Sequence, residues 1–172
     1  MPKIEAKGIN DYMNLLKSIS DDTGETLNKA LYKGAGVMAD ELKNQIETLP
    51  TVKDEYNLKV YANNKSGKRG DANYKLSDTQ KKGLLDGLGI APFDAKDGII
   101  DTHIGFDGYN NIKTKKYPKG QPNIMIARIV ESGSSYFTKK PFIRKAIRAG
   151  KEKTEEAMAK VIDDEINKLK KE

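Results

Sequence analysis

The chain has no cysteine and no tryptophan, and His103 is its single histidine. Without cysteine there is no disulfide, no thiolate metal site and no cysteine nucleophile. Long apolar runs are missing too. No stretch approaches the roughly 18 uninterrupted apolar residues of a membrane span, and the start, MPKIEAKGIN, lacks the apolar centre of a signal peptide. The expectation is a soluble protein made in the cytoplasm of its producer. Apolar residues are scarce, 37% of 172, while 33% are charged. An ordinary globular chain is richer in the first and holds about a quarter of the second. A single domain over 1–172 can still form a core, but a lean one. Part of the chain is therefore expected to be extended and polar, or to be completed by neighbouring subunits.

The residue combinations of enzymes are also missing. A triad around His103 needs a nucleophile and an acidic partner, and Asp101-Thr102-His103-Ile104-Gly105 matches no nucleophile motif. Asp101, His103 and Asp107 share a strand face only if the strand is regular, and no second histidine or EF-hand pattern joins them. Gly83, Gly87 and Gly89 fit neither GxxxxGK[ST] nor GxGxxG in a strand-to-helix setting. They read as a helix end and a turn. The chain is read as a non-enzyme with no catalytic residue, no cofactor and no metal.

Periodicity supplies the elements. Ile4 and Ala6 alternate like a short strand, and Asn10 or Asp11 opens a short helix through Leu16. Asp21, Asp22 and Thr23 are N-cap residues. After them Leu27, Leu31, Ala35, Met38, Leu42 and Ile46 form the stripe of an amphipathic helix, which should stop at Leu49-Pro50. Gly34 and Gly36 each cost this helix roughly 1 kcal/mol, so they mark either a close approach of another backbone or a tolerated kink. Leu58, Val60 and Tyr61 read as strand, and 63–70 as an exposed loop. Ser77 and Asp78 cap a helical turn through Leu85. Residues 99–106 read as a strand with a bulge, and 124–130 as either strand or helix. Pro141 fits a first helical turn, and from Phe142 to Leu169 apolar residues outline a long helix, bent at Gly150. Its outer face offers the i,i+4 pairs Glu156–Lys160 and Asp164–Lys168.

The net charge is +6 and the pI about 9.2, which favours a polyanionic partner without specifying one. Three basic clusters stand out: Lys65, Lys68 and Arg69; Lys113, Lys115, Lys116 and Lys119, interleaved with Tyr109 and Tyr117; and the run from Lys139 to Lys153. Lysine loops neutralise phosphates without reading sequence. With only 7% aromatic residues, a stacking platform for single strands is poorly provided.

The segment Ile126-Ala127-Arg128-Ile129-Val130-Glu131-Ser132-Gly133-Ser134-Ser135, followed by Lys140-Pro141-Phe142-Ile143-Arg144-Lys145-Ala146, resembles a pattern in phage head–tail joining (tail-completion, or neck) proteins. That family is typified by the gene-ten product of the Hong Kong lambdoid phage. Its members show an apolar run, Glu-x-Gly-Thr/Ser, a short loop, Pro-Phe-aliphatic-Arg and a closing helix. They also open with a strand, a short helix and a long helix ending in proline, as at Leu49-Pro50. Residues 78–85 are similar to the family's Thr-Gly-x-Leu element, although Thr79-Gln80 lacks its glycine. The stretch 105–123 is similar to a subgroup from contractile-tailed phages.

The resemblance implies an α+β fold, a mostly antiparallel sheet packed against long amphipathic helices, with extended polar loops at 51–76 and 109–122. It implies a virion protein of the neck, a homo-oligomeric ring of about six or about twelve subunits between portal or adaptor and tail terminator. Within the motif, Glu131 is expected to accept hydrogen bonds from the Ser134 or Ser135 backbone. Gly133 should supply a positive φ, and Pro141 and Phe142 should start and anchor the last helix. Lys113, Lys115, Lys116, Tyr117 and Lys119 form the candidate partner-contact loop. Nonspecific contact with DNA in the channel is a further expectation, and membrane contact is not. The alternatives are a tail terminator or tail-tube protein, and a nonspecific DNA-binding accessory protein.

Overall fold

The computed structural model describes residues 9–63, 73–96 and 99–169. The expected strand at Ile4–Ala6 and the cluster Lys65, Lys68 and Arg69 lie outside the described residues. Among the described residues, five helices and four short strands follow in order: α1 (Ile9–Glu47), α2 (Asp54–Asn63), α3 (Asp78–Gly87), β1 (Leu88–Ile90), β2 (Asp94–Lys96), β3 (Ile99–Asp101), β4 (Ile104–Phe106), α4 (Asn123–Ser132) and α5 (Ile143–Leu169). The α+β class holds, but helices dominate. The described strands form only two antiparallel pairs, β1 with β4 and β2 with β3, in place of a broad sheet.

Those pairs form one interrupted hairpin. Leu88 faces Phe106 and Ile90 faces Ile104 in the first pair, and Asp94 faces Asp101 in the second. The register changes by one residue between the two pairs, and the extra residue lies on the opposing segment 91–93, across from Thr102-His103, instead of within 99–106 as expected. There the Ala91 N–H donates to the His103 carbonyl at 2.7 Å and the Thr102 hydroxyl to the Ala91 carbonyl at 2.7 Å.

Helix α1 runs unbroken through Asp21, Asp22 and Thr23, so the expected new start there is absent. Capping residues inside a continuous helix are a weak propensity cost that packing overrides. Further along, α1 packs against α5, which lies antiparallel: Gly34 faces Met158 while Gly150 faces Met38. A Cβ on Gly34 would lie 2.6 Å from Met158 Cγ, so its absence permits close approach; around Gly36 the space is open. α5 continues as α-helix through Gly150, which makes room for Met38. Ala30, Ala35, Leu42 and Ile46 are buried on α1, but Leu27 at the stripe's start is exposed. On α5 the expected apolar face holds Ala146, while Ile147 and Ile166 are exposed. Lys153 pairs with Glu41 at 3.6 Å across the two helices. Lys168 pairs with Glu165, not with Asp164.

α1 ends at Glu47, before Leu49-Pro50 as expected. Lys81 of α3 closes that end, donating to the carbonyls of Glu47 at 2.7 Å and Leu49 at 3.0 Å, a favourable position for a cation. Residues 54–63 form a helix where a strand was expected. Asp54 and Glu55 suit its first turn, and Leu58 and Tyr61 face solvent, so their alternation marks no buried sheet face. α2 is held by Asn57, whose side chain bonds the Lys75 carbonyl at 2.8 Å and its N–H at 3.1 Å.

The core sits where the C-terminal half of α1, α3, α4 and the start of α5 converge. Leu42, Ile46, Leu76, Leu84, Ile126, Val130 and Phe142 are its buried centre. Each such side chain contributes about 1.5–3 kcal/mol relative to exposure. Phe106 of β4 meets Phe142 edge-on, with ring centroids 6.0 Å apart, which ties the hairpin to this core.

Candidate interaction surface

Two features at opposite ends of α4 carry the residues singled out in the sequence: a bracket joining the end of α4 to α5, and a lysine hairpin that leads from β4 into the start of α4.

The bracket begins where α4 ends. Gly133 has φ 78° and its N–H donates to the Ile129 carbonyl at 2.8 Å. A side chain is disfavoured in that conformation. The chain turns at 134–137, with Ser134 and Phe137 exchanging backbone hydrogen bonds, and returns as Lys140 N–H meets the Val130 carbonyl at 2.7 Å. Glu131 does not bond Ser134 or Ser135. Its carboxylate reaches eleven residues on and accepts the N–H groups of Phe142 at 2.8 Å, Ile143 at 2.9 Å and Arg144 at 3.4 Å. These are donors that a helix start leaves unsatisfied, and the negative charge suits the positive end of the helix dipole. Phe142 occupies the cap position, since its carbonyl accepts the first helical bond, from Ala146 at 2.9 Å. Pro141 therefore lies one residue outside the helix and not in its first turn. Its fixed φ directs the chain into a cap supplied from outside.

The lysine hairpin is pinned at its base. Asn110 is buried, and its N–H donates to the Gln121 carbonyl at 2.9 Å. Its side chain accepts the Ile112 N–H at 2.9 Å. Gly120, with φ 114°, lies so close to the Asn110 carbonyl that a Cβ would collide with it. Gln121 accepts from Gln80 at 2.9 Å. Gln80 in turn completes the reciprocal capping box with Ser77 at the start of α3. The tip is a tight turn in which Thr114 and Tyr117 exchange backbone bonds, both 3.1 Å. Lys115 and Lys116 occupy its two central positions. Lys113, Lys115, Lys116 and Lys119 are exposed, while Tyr117 is half-buried with Lys116 Nζ 5.4 Å from its ring centre. The structure thus brings this set together as one fixed cationic projection. The capping role of Gln80 and its bond to the hairpin were missed from sequence, although Ser77-x-x-Gln80 is a capping-box signature.

Beside the hairpin base lies an open polar cavity of ≈ 380 Å³ bordered by Lys82, Asp86, Asp107 and Asn111. Buried Asn123 crosses its floor, donating to the Asp107 carbonyl at 2.8 Å. His103 is exposed on the far hairpin. Among the described residues, no three His, Cys, Asp or Glu side chains converge as a metal site would require. No described helix is long and apolar enough to cross a membrane.

Set against known proteins, the chain matches no protein-family model, no curated protein and no solved structure.

Proposed function

We propose that this chain is a structural subunit of a phage neck, a head–tail joining protein that assembles as a ring between portal or adaptor and tail. The observation that carries the reading is the bracket over 126–147. The segment with the family-like motif folds as one unit in which Glu131, Gly133, Pro141 and Phe142 have interlocking scaffold roles. The hairpin at the other end of α4 offers four exposed lysines to a neighbour. In such a particle the mechanism is association: each subunit presents one patch to the next until the rotation closes. The lysines would set orientation and encounter rate more than affinity.

Removing residues 110–120 outright would also remove Asn110 and Gly120, which pin the hairpin. The sharper test replaces Lys113, Lys115, Lys116 and Lys119 by serine. The folded protein should keep its melting temperature, while heads and tails fail to join in a complementation assay. Normal particle yields from that variant would defeat the assignment of this loop as a joining contact. If the lysines instead served a DNA-binding accessory protein, the wild type would bind duplex tightly with a steep salt dependence, and the variant would lose that slope.

A further inference from the structure

Helix α5 is polarised along its length. Residues 143–154 contain five basic residues and one acidic, a net charge of +4. Residues 155–166 contain five acidic and one basic, a net charge of −4. At the start this order opposes the helix dipole, which favours acidic residues there, while the last turn itself carries Lys168, as the dipole favours. Arg144 and Lys145 stand in the first turn. Local helix stability therefore does not account for the pattern.

Packing against α1 accounts for the inward-facing part of it. The pairs Lys153–Glu41 and Glu165–Lys29 point across the helical pair. On the solvent flank, Ile147, Arg148, Lys151 and Glu155 continue through Ala159 and Ile162 to Asp163 and Ile166, mostly in steps of three and four. That spacing places them on one stripe. Each end of the stripe carries a large apolar side chain in the open: Ile147 is 49% exposed and Ile166 is 42% exposed. Among the described residues, Arg148 and Asp163 have no ion-pair partner. Lys151 and Glu155, 3.9 Å apart, mark the point where the sign changes.

We infer that this stripe is a self-association surface, on which α5 of a second copy lies antiparallel. The occupant follows from charge. A parallel copy would set like charges side by side over about 28 Å of helix. An antiparallel one sets the basic end of each against the acidic end of the other. With Ile147 beside Ile166 of the second copy, Arg148 falls within a turn of that copy's Asp163, and the contact repeats about a two-fold axis. Exposed ion pairs of this kind choose direction, and the isoleucines supply the apolar contact. The resulting dimer is weak and salt-sensitive. Being isologous, this contact differs from the head-to-tail contacts of a closed ring, and it stands or falls independently of the neck reading.

Sedimentation equilibrium of the full chain, at low and at raised salt, tests it. The wild type should dimerise at low salt and dissociate as salt rises. Arg148→Glu and Asp163→Arg should each weaken the dimer about tenfold, and the double variant should return to within about threefold of wild type. Both positions are exposed, and circular dichroism checks that every variant keeps its fold. A monomer under all conditions, an oligomer indifferent to the single swaps, or a double variant without recovery would each overturn the inference. Recovery in the double variant cannot come from a fold defect or from an unrelated partner.

Discussion

The Glu131 carboxylate accepts the Phe142 backbone N–H at 2.8 Å, so the last turn of α4 caps the first turn of α5. Two helices separated by a ten-residue stretch thereby share one charge. Glu131 is nearly buried, 12% exposed by its side chain. Truncating it leaves helix-start donors unsatisfied next to the core.

Glu131→Ala should therefore lower stability by about 2–3 kcal/mol, and Glu131→Gln, which keeps an acceptor oxygen, by about 1 kcal/mol. Urea unfolding reads both. Arg144→Ala should change the midpoint little, because its contact with Glu131 is 3.5 Å long and Arg144 is 78% exposed.

The two glycines of α1 should separate in the same assay. Gly36 faces open space, so Gly36→Ala should stabilise by about 0.5–1 kcal/mol through helix propensity. At Gly34 a methyl group would displace Met158 and crowd Thr154 Cγ2 at 3.2 Å. Gly34→Ala should show no such gain, and Gly34→Val should destabilise.

Gly120→Ala should destabilise by about 1–3 kcal/mol, since it strains a left-handed residue against the Asn110 carbonyl. The damage should be local first. Hydrogen exchange at the Asn110 and Ile112 amides should accelerate before the helices are affected.

Asp54 links α2 to α3 and gives the fold an acid-sensitive joint. Burial pushes its carboxyl up, but hydrogen bonds from Ser77 and Thr79 outweigh burial and hold it below the usual carboxylate value. The folded state therefore binds a proton less readily than the unfolded chain. This contribution is complete at neutral pH and is lost as pH falls through the folded-state value. Unfolding midpoints at about pH 7 and about pH 3 should differ less in Asp54→Asn than in wild type, and the difference is small because burial opposes the hydrogen bonds.

What could be read from sequence was mainly what depends on near neighbours. Ser77, the stop before Pro50 and the positive φ at Gly133 are local, and each is found where expected. Helix α2 is hidden in the sequence because Leu58, Val60 and Tyr61 imitate strand alternation, whereas Asp54 and Glu55 are the helix signal. Two expected helices merge into α1 because Asp21, Asp22 and Thr23, good caps, are only a weak cost inside a continuous helix. Short spacing points Glu131 to Ser134 or Ser135, whereas its partners lie beyond the next turn, at Phe142 and Ile143. The exposed Ile147 and Ile166 were counted as core because apolar periodicity does not distinguish the flank of a stripe from its centre.

The most direct test of the neck assignment is the position of this chain in purified particles, by cryo-electron microscopy with a C-terminal tag. The account predicts density at the collar, as a ring between portal and tail. Absence from particles, with the protein recovered on DNA in the lysate, would contradict it.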